Sequence, residues 1–326
     1  MSNIKKTVLI FGISSFVGSN LAEFLKKDYR VFGTYYKSEI HIPDILTIPC
    51  DILNREVIQS ILYAIKPDIV IYAIGLSKFG LAADVDKDLN ALNTLGVFNV
   101  ANYSERYKSK LCYISSSYIF PGIDKVFNEN DTPDPCTEYG KTKSSAEFFI
   151  QKSCLNYIIF RSSSLYGRSF NPKRMNNFEL LESKLIKGIS VICDGNVYLG
   201  HLDVMYLALI IKMSIENDVT NRLFQIGSTD VASFYDFARK YARIAKLNEN
   251  LITKGKWQFP EVKKEVNDEE VGYKRFFKLS IDNLESCFSV KMPTIEESIE
   301  FTYCRFGGRL GEGKKSKNAG TLLKYI

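Results

Sequence analysis

The stretch Val8-Leu-Ile-Phe-Gly-Ile-Ser-Ser-Phe-Val-Gly18 constrains the fold more than any other part of this chain. An apolar run of strand length breaks at Gly12 into small residues, and from Val17 apolar residues recur at helical spacing. Strand, tight turn and helix in that order leave the first N–H groups of the helix without intrahelical partners, so they can hold a pyrophosphate. Gly12 allows the tight turn, and Gly18 allows close packing of helix on strand. The pattern predicts the opening unit of a dinucleotide-binding fold.

Strand-like and helix-like segments alternate after it. The predicted strands are Thr7–Phe11, Arg30–Thr34, Asp68–Ala73, Lys110–Ser115 and Tyr157–Arg161, mostly continuous apolar runs as buried parallel strands require. The predicted helices between them are Val17–Lys27, Arg55–Ile65, Val85–Tyr107 and Tyr139–Lys152. Beyond Gly167 the pattern loosens. Helices are expected at Asn176–Lys187, Val204–Ile215, Ser233–Ala245, Ile281–Phe288 and Ile295–Phe306, a strand at Arg222–Ile226, and a loop-rich portion at Trp257–Gly272. The expected fold class is α/β, a doubly wound parallel sheet (Rossmann type) with a smaller, interleaved C-terminal substrate domain. Residues 1–167 are expected to form an NAD(P)-binding domain with later returns near 197–232. Residues 168–306 are expected to be mostly substrate-binding, and 307–326 a disordered basic tail.

Composition narrows the partners. A net charge of +6, with basic residues spread out except in the tail, argues against nucleic acid and for an anionic small molecule. Seven cysteines without a CxxC pair and only two histidines argue against a metal site and suit a reducing cytoplasmic location. The run Leu207–Ile211 is ended by Lys212, and no uncharged stretch reaches membrane-spanning length.

Tyr139-Gly-Lys-Thr-Lys143 places a phenol and an ammonium one helical turn apart on one face. Such a pair suits proton transfer coupled to hydride transfer, because the charge of the lysine favours the tyrosinate. Upstream, Ser115, Ser116 and Ser117 stand at the end of a buried strand, where open α/β sheets place their ligands. A hydroxyl there can hydrogen-bond a substrate carbonyl and orient it towards Tyr139.

Taken in order, GISSFVG, Cys50-Asp51, DIVIYAIG, LNTLGVFNV, ISSSYIFPG, EYGKTKSSAE and RSSSLYG resemble the extended short-chain dehydrogenase/reductase family. The resemblance is greatest to its dTDP-4-dehydrorhamnose reductase branch of sugar-nucleotide enzymes. It covers Thr7–Gly167 and continues more loosely through YLGHLDVMYLA, LFQIGS and FKLSIDNLES. It implies that Tyr139 is a general acid, Lys143 its ribose-holding partner and Ser116 the catalytic hydroxyl. It also implies that Gly12, Ser15, Phe16, Val17 and Gly18 line a pyrophosphate, and that Asp51 and Ile52 contact adenine. Ala73, Ile74 and Gly75 would pass beside the cofactor, with the segment Arg161–Ser164, Arg161 and Ser162 first, beside the nicotinamide. Ser116, Ser117, Tyr139 and Ser164 would meet the substrate. Tyr36 and Lys37 follow the second strand with no acid before Glu39, so a cation there can pair with the extra phosphate of NADP(H). NAD(H) remains the alternative, with Lys37 a solvated lysine.

Several positions depart from the family pattern. Ser15 replaces the middle glycine of GxxGxxG, where its side chain is either tolerated or donates to phosphate. Ser117 and Tyr118 stand where dehydratases carry an Asp-Glu pair, and Tyr118 where GDP-fucose synthases use an epimerising cysteine. Arg275 is followed by Phe276 instead of the proline common near the nucleotide site, and His201 falls in a region that touches the sugar in relatives. The resemblance therefore implies an NADPH-dependent reductase of a nucleotide-linked 4-keto-6-deoxy sugar, with a homodimer as the default assembly. A C4-epimerase is the second reading. A non-catalytic regulatory subunit is the third, because the beta subunit of methionine adenosyltransferase resembles the same branch.

Overall fold

Residues 5–75, 90–170, 175–255 and 274–307 are described by the computed structural model. The first apolar run is the strand β1 (Thr7–Phe11), and it leads through the turn into α1 (Phe16–Leu25). Next come β2 (Arg30–Tyr35), β3 (Leu46–Pro49), α2 (Arg55–Ile65), β4 (Ile69–Tyr72), α3 (Gly96–Arg106) and β5 (Lys110–Ser116). A short β6 (Val126–Phe127), α4 (Glu138–Ser153), β7 (Tyr157–Ser162) and β8 (Ser164–Tyr166) follow. The remainder holds α5 (Asn177–Ile186), β9 (Val191–Asp194), β10 (Val197–Leu199), β11 (His201–Asp203) and α6 (Val204–Glu216). It continues with β12 (Arg222–Ile226), β13 (Ala232–Ser233), α7 (Phe234–Ile244), β14 (Ile252–Gly255), β15 (Arg275–Leu279), α8 (Asp282–Phe288) and α9 (Ile295–Arg305).

Among the described residues, seven parallel strands form one sheet in the order β12-β7-β5-β4-β1-β2-β3. Side chains alternate between its faces. Val8, Ile10, Ile71, Ile114 and Phe160 join α1 and α6 on one side, while Leu9, Phe11, Tyr72, Tyr113 and Ile159 join α2, α3 and α4 on the other. Both faces are covered, which is why the central strands read as unbroken apolar runs. The chain reverses direction across the sheet between β1 and β4, and a crevice opens there beyond the carboxyl ends. Smaller sheets lie outside this core: β13-β10-β15-β6, β11 with β8, and β14 with β9. The fold is the expected doubly wound α/β class.

Apart from the helix expected over Val85–Tyr107, the expected strands and helices recur with ends shifted by no more than two residues, and β1, α2 and β12 match at both ends. The short edge strand β3 was not anticipated. Its four residues are half-exposed and end in Pro49, so they form neither an apolar run nor a clean alternation. The helix expected over Val85–Tyr107 is described only from Asn90, where a π turn at Ala91–Leu95 precedes α3. The expected loop at Trp257–Gly272 and all but the first residue of the expected tail lie outside the described residues. Among the described residues, no helix is long and apolar enough to cross a membrane, and no cluster of metal-ligating side chains occurs.

Candidate active site

The turn between β1 and α1 is built from three close approaches. Gly12 has φ +87°, and a Cβ on it would lie 2.6 Å from Ile74 Cγ1. A Cβ on Gly18 would lie 2.2 Å from Gly12 O, so its close contact is with the turn itself and not, as expected, with the strand. Ser15 caps α1, accepting from Gly18 N at 2.9 Å and donating to Ala73 O at 3.0 Å. Its hydroxyl is thus used within the protein, tying the turn to the end of β4. Phe16 and Val17 open the helix, where N–H groups lack intrahelical acceptors, and both line the cavity beside it.

A cavity of about 420 Å³ follows the carboxyl ends of β1, β4, β5 and β7. It is lined by Ser15, Phe16 and Val17, then Ala73, Ile74 and Gly75, then Ser116, Ser117, Tyr139, Lys143, Ser162 and Ser164. Twelve of the anticipated site residues therefore converge on one space. Ser163, within the anticipated segment Arg161–Ser164, lines it too, and its far wall holds residues not anticipated from the sequence, including Asn177, Asp194, Val197, Leu199 and Phe234. Asp194 was detectable only as the start of an Asp-Gly-Asn turn, in which its Oδ1 accepts from Asn196 N and Val197 N at 2.8 Å.

Local sequence explains how the phenol reaches this cavity. Thr137 caps α4 by accepting from Gly140 N at 3.0 Å, and Glu138 in the first turn suits the helix dipole. A Cβ on Gly140 would fall 2.0 Å from Tyr118 O, so glycine lets the helix start press against the turn after β5. Tyr118 and Tyr139 then meet edge to face at 6.1 Å. Ser116 ends β5, and its oxygen accepts from Tyr118 N at 3.3 Å, leaving the hydroxyl proton to donate.

Lys143 is buried, and its Nζ donates to Ile114 O at 2.9 Å. Burial lowers its pKa from 10.5 to about 8, opposed by the charge of Glu147. A pKa lower in the folded chain than in the unfolded one penalises the folded state below about 8, and the penalty is relieved as pH rises towards 10.5. The parent should accordingly gain about 3 kcal/mol relative to Lys143→Met across that window. Urea unfolding of both proteins at several pH values measures the gap. Parallel stability curves would show that Lys143 is not desolvated.

Some anticipated residues stand apart from the cavity. Arg161 corrects an expectation: its guanidinium points away, paired with Glu147 at 2.9 Å, donating to Glu129 O at 3.2 Å and lying over Phe120. Ile52 packs its side chain in the core, so only its edge could be offered to a ligand, and its carbonyl accepts from Asn99 Nδ2 at 3.2 Å. Asp51 caps the following turn by accepting from Leu53 N at 2.9 Å. Lys37 is exposed after β2, with its ammonium 5.3 Å from the Tyr36 ring centre. His201 does line the cavity, but its Nε2 donates to Ala232 O at 3.1 Å and its ring stacks on Phe237 at 4.6 Å. Burial lowers its pKa to about 4 and keeps it neutral. Arg275 donates to Cys136 Sγ at 3.0 Å.

Residues 6–300 match the family described as RmlD substrate binding domain. A dTDP-4-dehydrorhamnose reductase of Aggregatibacter actinomycetemcomitans is 25% identical over 235 residues, spanning 71% of this chain and 76% of that protein. The methionine adenosyltransferase 2 subunit beta of Danio rerio is 25% identical over 164 residues, 50% of this chain and 49% of that protein. Among solved structures, dTDP-4-dehydrorhamnose reductase from Bacillus anthracis in complex with NADP superposes with a TM-score of 0.76 at 23% identity. That superposition covers 92% of this chain and 99% of the other. UDP-glucose 4-epimerase from Thermotoga maritima with UDP-glucose superposes with a TM-score of 0.75 at 18% identity, covering 92% and 98%.

Proposed function

The chain belongs to the RmlD substrate binding domain family, and on that basis we propose that it is an NADPH-dependent reductase of a nucleotide-linked 4-keto-6-deoxy sugar. The observation that carries this reading is the meeting of Ser116, Tyr139 and Lys143 with the opening turn of α1 around one cavity. The cavity residues suit a dinucleotide. Phe16 and Val17 present a helix N-terminus to it, and among the described residues a Cβ on Gly75 would approach nothing nearer than Lys143 Nζ at 3.5 Å. Phe16, Val17, Ile74 and Gly75 would hold the pyrophosphate side, Lys143 the nicotinamide ribose, and Lys37 the 2′-phosphate.

Bound NADPH supplies the hydride for the keto carbon. Ser116 donates a hydrogen bond to the carbonyl oxygen and fixes its direction. Tyr139 gives its phenolic proton to that oxygen as negative charge develops, and the ammonium of Lys143 stabilises the tyrosinate left behind. Ser117 and Tyr118 supply no carboxylate or thiol beside the reacting carbon, which favours reduction without dehydration or epimerisation. The test is NADPH oxidation with a panel of nucleotide-linked keto sugars, each product identified by mass. Oxidation matched by a product two mass units heavier supports the reading. Nucleotide retained through purification with no net NADPH consumption would support an epimerase instead, and no turnover with any sugar would favour a regulatory role.

A further inference from the structure

Behind Lys143, the buried face of α4 carries a second charged pair. Glu147 lies one helical turn further on and is 1% exposed, against 3% for Lys143. Its carboxylate receives Arg161 on two donors, Nη2 at 2.9 Å and Nε at 3.1 Å, which fixes its orientation. The ammonium of Lys143 sits 4.9 Å from the ring centre of Tyr113 and 5.7 Å from that of Tyr139. Tyr113 is wholly buried, and among the described residues its hydroxyl has no partner. An ammonium held by two ring faces and one carbonyl needs a negative field to stay charged. Among the described residues, the carboxylate in its layer is that of Glu147. Among the described residues, the groups facing Lys143 are Tyr139 and Glu147 from α4 and Tyr113 from β5, with Arg161 of β7 behind Glu147.

The geometry points to Glu147 as a positioning residue for the proposed proton transfer, acting through Lys143 by holding its ammonium charged between Tyr113 and Tyr139. This inference rests on the functional reading above for its consequence, though not for its measurement. The midpoint of Lys143 is read directly by carbon NMR on protein carrying ¹³C at the lysine ε positions, with Lys143→Met identifying the signal. In Glu147→Gln the midpoint should fall by about one unit, a tenfold fall in the ratio of charged to neutral form at fixed pH. The basic limb of the pH–rate profile should move with it. Glu147→Asp keeps a carboxylate but draws it back by one methylene, so its midpoint should fall less. If Glu147→Gln does not fold, Glu147→Asp decides alone. A midpoint unchanged from the parent in the folded variant overturns the inference. Absence of turnover with an unaltered NMR result would instead sink the functional reading, so the two failures are distinguishable.

Discussion

Tyr139→Phe is expected to lower NADPH-dependent turnover by about a hundred- to ten-thousand-fold while leaving NADPH affinity near the parent value. The substitution removes one oxygen and keeps the ring, so the edge contact with Tyr118 and the cap of α4 at Thr137 are retained. Loss of rate without loss of binding is the signature of a group that acts on the proton in the transition state. Single-turnover kinetics beside fluorescence titration with NADPH separates the two quantities. A variant that turned over as fast as the parent would remove Tyr139 from the mechanism.

Arg161→Met should destabilise the protein by about 3–5 kcal/mol, because it leaves Glu147 charged and unpaired in a buried layer. Glu147 is 1% and Arg161 3% exposed, so water cannot replace the lost partner without opening the core between α4 and the sheet. The family resemblance implied a nicotinamide contact for Arg161, which predicts weaker NADPH binding with little change in stability. Chemical unfolding and nucleotide titration of the same variant separate these outcomes. A stable variant with impaired binding would restore the cofactor role.

The contrast between Arg161 and Ser162 shows what was readable in the chain. Both stand in one serine-rich motif, and motif position alone does not say which way a side chain points. Successive residues of a strand face opposite sides of the sheet, so Ser162 lines the cavity while Arg161 turns to Glu147 on α4. The turn at Gly12–Gly18 was legible because its chemistry is local: a strand, a left-handed glycine and a helix cap lie within a dozen residues. Tyr139 and Lys143 were legible for the same reason, since helical spacing fixes their relation. The far wall of the cavity was not. Asn177, Asp194, Leu199 and Phe234 come from α5, β9, β10 and α7; the two helices were legible as elements, but which of their residues meet in one cavity is set by tertiary packing alone. Ser15 was legible as a departure, but its partner Ala73 O is 58 residues away and could not be read from the turn.

Net reduction at the cavity where Ser116, Tyr139 and Lys143 meet is tested most directly with NADPH carrying deuterium at the transferable C4 position of the nicotinamide, incubated with a nucleotide-linked 4-keto-6-deoxy sugar. The account predicts one deuterium on the former keto carbon of the product for each NADPH oxidised, with both quantities lost together in Tyr139→Phe. A product without deuterium, or sugar returned unchanged while NADPH stays bound and unconsumed, would contradict it.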